Sequence, residues 1–373
     1  VDGRSTKGSG MNERRTETLV VTLVTVTNLF IAFFISGIVI WALGEDPWFA
    51  LKTLLYGAFG YDEGLGYTLY YTTNFIFTGL AFAIGFHCGL FNIGAEGQAY
   101  IGGLGVGLIC LWLEDWSLWL VFPLAILTSI ILGGIWGAIP GYFKAKRGSH
   151  EVVTTIMFNF IASVIMVNIL SHVLRPPKEM SPESREFAEE VWIPQMHEIF
   201  DLFGINITQT PLNGTFFFAL ICLVLVWRFI WYTRWGYEIR TVGTNDTAAV
   251  YAGISVSRNI ILAMFVCGGL AGFVGINEIM GSSHRIMLNF QAGIGFTGIA
   301  VSLIGRNHPL GILLAALLFG ILYQGGAELS FEVQAIDRHL VVLIQGLVIL
   351  FAGALENLFR PQIEYFVKQL VRQ

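Results

Sequence analysis

Apolar runs of about 20 residues recur along nearly the whole chain, and each is long enough to cross a bilayer as a helix. In hydrocarbon every backbone N–H and C=O must find its partner inside the protein, so such runs fold as helices, not open strands. Composition agrees. Of 373 residues, 55% are hydrophobic and 13% charged, against roughly 45–50% and about 25% in soluble domains. The expected fold is all-α: a polytopic membrane protein of about ten helices. The segments fall at Leu19–Leu43, Tyr67–Phe86, Gly97–Leu113, Leu118–Ile139, Val152–Ile169, Thr215–Tyr232, Ile260–Ile279, Gly293–Ile304, Pro309–Tyr323 and His339–Phe359.

An even number of crossings puts both termini on one side, and the Lys and Arg excess decides which. With the N-terminus inside, outer loops hold Lys52, Arg175, Lys178, Arg185, Arg285 and Arg338, whereas Lys144, Lys146, Arg147, Arg234, Arg240, Arg258, Arg360, Lys368 and Arg372 fall inside. Both termini are therefore expected in the cytoplasm. A net charge of −5 gives no basic surplus for phosphates, so nucleic acid is excluded as a partner. Cys88, Cys110, Cys222 and Cys267 lie in or beside apolar runs without metal-ligand spacing. Residues 1–10 precede a Met11 that resembles a natural start, and read as an added or extended beginning; 11–373 read as one transmembrane domain.

Two loops stand out. Residues 171–213, expected outside, hold half of the ten prolines and an acidic run at Glu183, Glu186, Glu189 and Glu190, which suits a folded-back connector or a docking platform. Residues 233–258, expected inside, contain a short capped helix at 245–253. Thr244 or Asn245 can cap it, Asp246 suits its first turn, Gly253 can end it, and Val250 and Tyr251 are available to a partner. Glycine, at 43 residues, serves mainly close packing: Gly133, Gly137 and Gly141 stand four apart, as do Gly268 and Gly272. Two stretches, 85–105 and 293–311, are too glycine-dense for unbroken helix, and such interruptions in both halves of a chain point to broken helices around a transport route.

Catalytic signatures are missing. The chain has no G-x-x-x-x-G-K-[ST] loop, no H-E-x-x-H and no G-x-S-x-G, which argues against its own ATP hydrolysis, a zinc hydrolase and a serine hydrolase. The acids inside the spans, Glu278 and Glu356, lie near span ends, and no buried acid–base pair offers an ion motor. Neutral polar groups remain. Thr155, Asn159 and Ser163 form one stripe at four-residue spacing; Asn92, Glu96 and Gln98 cluster at the entry to the third segment; Asn74 and Asn277 add amides elsewhere. Each can serve as an interhelical hydrogen bond. Together they suit a route for a polar, uncharged solute.

Four stretches then resemble one family: GLFNIGAEGQ at 89–98, HEVVTTIMFNFIA at 150–162, VGTNDTAAVYAGISV at 242–256 and GFTGIAVSLIGRNHPLG at 295–311. They resemble the membrane-spanning permeases of ATP-binding-cassette (ABC) importers in the branched-chain amino acid and ribose group, nearest the branch for nucleosides and simple sugars. The resemblance implies about ten helices per subunit, work in pairs with an identical or different second permease, and solute received from an extracytoplasmic binding protein. It also implies a cytoplasmic ATPase that holds the ATP and magnesium, no cofactor on this chain, and a place in the bacterial inner membrane. By the same resemblance Asn245, Asp246, Thr247, Val250, Tyr251 and Gly253 belong to the helix that couples to the ATPase. A self-sufficient secondary carrier or channel, a branched-chain amino acid permease and a membrane-embedded enzyme stand as alternatives.

Overall fold

The computed structural model describes residues 5–177, 179–333, 336–351, 361–365 and 367. Lys178, Glu356, Arg360, Lys368, Arg372 and the end of the last expected segment lie outside them, as do the first four residues. Among the described residues the fold is helical without strands, apart from one isolated antiparallel bridge between Gln195 and Asn213. The helices are α1 (Ser5–Ala42), α2 (Pro47–Phe59), α3 (Asp62–His87), α4 (Ala95–Trp112), α5 (Leu118–Arg147), α6 (Glu151–Ile169), α7 (Met196–Asp201) and α8 (Thr215–Tyr232). After them come α9 (Arg234–Thr244), α10 (Asp246–Tyr251), α11 (Val256–Gly272), α12 (Ile294–Ile304), α13 (Pro309–Glu332) and α14 (Arg338–Ile349).

Each expected segment coincides with a helix in whole or part, but the helices are unequal. Six are long and apolar enough to cross a membrane: α3, α5, α6 with its π-helical extension to Leu174, α8, α11 with its extension to Ser283, and α13. The apolar part of α1, Val26–Ala42, and α2 are bent by 119° and form a seventh span if taken as one. By contrast α12 has 11 residues, and α4 opens on Glu96 and Gln98 before a run of glycines. The π-helical turn at Ile276–Ser283 carries that span past its expected end at Ile279, so Glu278 sits within the span instead of at its edge.

The chain divides into two compact units, 1–57 with 325–373, and 58–324. In the first, Ile40, Ala50, Leu329, Val333, Ile336, Val341 and Ile344 form an apolar cluster, and the Asp46 carboxylate accepts the Trp48 N–H at 2.8 Å to start α2. In the second, α5 and α11 pack backbone to backbone along the two glycine series. A Cβ on Gly268 would fall 2.7 Å from the carbonyl carbon of Gly133, and one on Gly141 2.9 Å from Cβ of Met264. All four cysteines are buried.

Helix is absent at 88–94, 284–293 and 305–308, inside or beside the two glycine-dense stretches. Elsewhere in them it persists, because glycines such as Gly102 and Gly103 are contact points: a Cβ on Gly103 would fall 3.1 Å from the Ile279 side chain. The proline-rich loop folds back over the end of the α11 span. Ser184 N–H donates to Ile286 O at 3.0 Å and Phe187 N–H to His284 O at 2.8 Å, Trp192 stacks on His284 with centroids 3.8 Å apart, and Arg185 pairs with Glu114. Beyond the π-helical turn that carries α6 to Leu174, its regular structure among the described residues is one 3₁₀ turn, Glu189–Val191, and the six residues of α7.

Candidate functional site

The non-helical stretch 88–94 ends in a polar knot. Asn92 Oδ1 accepts from Gly94 N at 2.9 Å and from Gln98 Nε2 at 3.2 Å, while Asn92 Nδ2 donates to Gln98 Oε1 at 3.0 Å. The two amides thus pair face to face, which lets both be buried without loss. Asn159 of α6 clamps the same loop, donating to Ile93 O and accepting from Gly97 N, both at 2.9 Å. Thr155 and Ser163, its neighbours on the stripe, turn back to their own helix, at Glu151 O (2.8 Å) and Asn159 O (3.1 Å). Glu96 reaches across to the start of α12, where its Oε1 accepts from Gly295 N at 2.8 Å and Phe296 N at 3.3 Å. The two broken regions, 199 residues apart in sequence, are joined by this carboxylate.

Asn74 and Asn277 belong to a second network. Asn213 Nδ2 donates to Asn277 Oδ1, and Asn277 Nδ2 to Asn74 Oδ1, both at 3.0 Å; Asn74 Nδ2 then donates to Glu278 Oε1 at 2.5 Å. The three amides are buried. All donate in the same sense, so their dipoles reinforce one another and end on the carboxyl group. The Tyr70 hydroxyl joins the same carboxyl.

The expected inner helix forms as α10. Asn245, not Thr244, caps it: Asn245 Oδ1 accepts Ala248 N–H at 3.0 Å, whereas the Thr244 hydroxyl donates to Arg240 O within α9. Asp246 occupies the first turn, and Thr247 Oγ1 donates to its carboxylate at 3.3 Å. Gly253, with φ +76°, ends the turn. Val250 and Tyr251 are 62% and 89% exposed, which makes an apolar tip on an otherwise polar element. Behind it, α9 is fixed by Glu238, which accepts from Arg234 Nε at 2.7 Å and Asn259 Nδ2 at 3.2 Å. The Arg234 guanidinium, with Asn259 assisting, holds the Glu238 carboxyl below its ordinary range. At its far end α9 meets the polar knot's loop backbone to backbone at Gly243: a Cβ there would fall 2.8 Å from Gly89 N and 2.9 Å from the carbonyl carbon of Cys88.

Comparison with known proteins gives this arrangement its context. A family model described as the permease component of branched-chain amino acid transport systems matches residues 64–353. The chain belongs to that permease family. Among its relatives, a guanosine ABC transporter permease protein of Bacillus subtilis is 35% identical over 80% of this chain and 83% of its own length. A nucleoside ABC transporter permease protein of Lactococcus lactis is 32% identical over 88% and 90% of the two chains. A glucose ABC transporter permease protein of Haloferax volcanii is 32% identical over 87% and 85%. No solved structure matches.

The permease also holds polar residues that sequence reasoning passed over. In the sequence pattern Glu278 stands near a span end and Asn213 at the edge of a loop, and neither position marks a buried polar group. Tyr70 stands four residues before Asn74 on α3, a spacing that could have drawn it in. Gln291, buried beside Glu96, carries no motif that would mark it.

Proposed function

We propose that this chain is the permease subunit of an ATP-driven importer and forms the route for a nucleoside or simple sugar handed over by a binding protein. The observation that carries this reading is similarity, over 80–88% of the chain, to permeases named for guanosine, nucleosides and glucose. Chemistry supports it. A neutral, hydroxyl-rich solute can exchange its water for amides such as those of Asn74, Asn92, Gln98, Asn159 and Asn277, whose hydrogen bonds are made and remade without moving net charge. Energy comes from a cytoplasmic ABC ATPase that holds ATP and magnesium. No covalent step and no cofactor belong to this chain.

In this reading the chain sits in a bacterial plasma membrane with about ten membrane segments, both termini cytoplasmic, and a second permease subunit beside it. The proline-rich loop receives the binding protein. The apolar tip of α10 fits a groove on the ATPase, and closure of the nucleotide sites moves α9 and α10 together. Gly243 then presses directly on the 87–89 turn, and 88–94 transmits the movement to Asn92, Glu96 and the start of α4. Vesicles containing the assembled complex test the proposal. Labelled guanosine or glucose should accumulate only with ATP and the ATPase present. Accumulation with the ATPase left out would replace this reading with a self-sufficient carrier.

A further inference from the structure

A cleft opens where the end of α5 meets the starts of α9 and α11. Lys146 of α5, Trp235 of α9 and Arg258 of α11 line its rim, and Ile261, Leu262 and Phe265 line it further along α11; it encloses about 490 Å³. The Ser257 hydroxyl donates to Ala145 O at 3.2 Å, which fixes the start of α11 against the end of α5. Each of these two residues is followed at once by a cation, so Lys146 and Arg258 come to one rim from positions 112 residues apart. Both are exposed, and neither enters an ion pair among the described residues. The acids of the neighbouring elements have partners of their own. Glu151, which opens α6, pairs with Lys144 at 2.8 Å. Glu238 feels the Arg258 charge but is bonded to Arg234 and Asn259. Two cations on one rim repel, and an anion between them relieves that cost.

Depth decides which kind of anion fits. α5 and α11 belong to the spans Leu118–Arg147 and Val256–Ser283, and Lys146 and Arg258 stand at the ends of those spans, at headgroup level. Phe265 stands further along the same helix, roughly 13 Å beyond Val256 at about 1.5 Å per residue. The headgroup layer is about 5–8 Å deep on each side, so the apolar wall of the cleft reaches hydrocarbon. Trp235, 51% exposed, supplies an amphipathic ring of the kind enriched at that boundary. A partner dissolved in water would meet the cations but not the apolar wall. We propose that the cleft binds an anionic phospholipid, with its phosphate between Lys146 and Arg258 and an acyl chain along Ile261, Leu262 and Phe265. Basic pockets between membrane helices on the cytoplasmic side hold such headgroups, and the Lys and Arg excess expects this end inside. The proposal stands on the membrane placement of the chain, not on the importer reading.

The whole chain, purified in detergent and stripped of lipid, is titrated with dioleoylphosphatidylglycerol, dioleoylphosphatidylcholine or glycerol phosphate while its melting temperature is followed. Phosphatidylglycerol should raise the melting temperature by several degrees; the zwitterionic lipid and the soluble headgroup should not. Lys146→Gln and Arg258→Gln should each raise the half-saturating fraction of phosphatidylglycerol about fivefold, and the double variant roughly 25-fold, the scale of one basic residue at a membrane surface. Arg147→Gln removes an exposed cation that does not line the cleft, and should change that fraction by less than about twofold. No rise with phosphatidylglycerol, an equal rise with phosphatidylcholine or glycerol phosphate, or an Arg147→Gln loss as large as that of either cleft variant would overturn the proposal. All three side chains are exposed, so the variants should fold, and their melting temperatures without lipid check this. Should the double variant not fold, the single variants decide. Protection that disappears once an ATPase subunit is bound would assign the cleft to that subunit and overturn the lipid site.

Discussion

Asn159 does what a hydroxyl at its position could not: it donates and accepts at once, from one helix to the backbone of another segment. Asn159→Asp keeps the size and the acceptor for Gly97 N–H but sets an oxygen against Ile93 O. It should therefore destabilise the protein at least as much as Asn159→Ala, each by about 1–3 kcal/mol for an orphaned buried group. Melting temperatures of the purified variants check the order; an Asn159→Asp as stable as the parent would contradict the clamp. The stripe containing Asn159 was legible from its four-residue spacing, yet Asn159 bonds to another segment while Thr155 and Ser163 bond back to their own helix. Spacing shows which face a side chain shares. Whether Thr155 and Ser163 bond outward or to their own carbonyls depends on rotamers and on what packs opposite.

At the scale of elements, close backbone approach and buried polarity do different jobs. Gly268→Ala would push a methyl group into Gly133 and separate α5 from α11, with an expected loss of about 1–3 kcal/mol. Gly253→Ala should cost less, because nothing lies within 4 Å and only its left-handed φ of +76° resists; thermal melts separate the two. α9 brings a pH dependence. Glu238 has its carboxyl held below the ordinary range, so its stabilising contribution is complete above the unfolded-state pKa of about 4.3 and disappears as pH falls through the lower folded value. Glu238→Gln should flatten melting temperature against pH in that acid window and leave its shape near neutrality unchanged. Helix positions and glycine contact faces were readable from local pattern, since each depends on residues within a few turns. The start of α12 was not, because the group that satisfies it, Glu96, is 199 residues away. The bend between α1 and α2 and the π-helical extension that draws Glu278 into its span are not expressed in apolar periodicity either.

For the whole molecule, scarcity of charge is the property that composition announced and the fold makes specific. The carboxyls of Glu96 and Glu278 are each taken up by hydrogen bonds, from helix amides in one case and from Asn74 and Tyr70 in the other. Neither is paired with a base. The proposed ATPase is tested at Val250 and Tyr251. Val250→Glu with Tyr251→Glu should leave the melting temperature of the isolated chain unchanged, because both side chains are exposed. In the assembled complex the same pair should abolish solute-stimulated ATP hydrolysis; hydrolysis that persists would remove α10 from the coupling role. Behind that tip, Gly243 and the Cys88–Gly89 turn meet with no side chain between them. A contact made only of main chain cannot be retuned by trading one side chain for another. On the proposed coupling role of α10, exchanging ATPase specificity between relatives therefore calls for transplanting 233–258 and 85–94 as one cassette. A graft of the inner loop alone would bring a foreign surface against a turn shaped for a different curve.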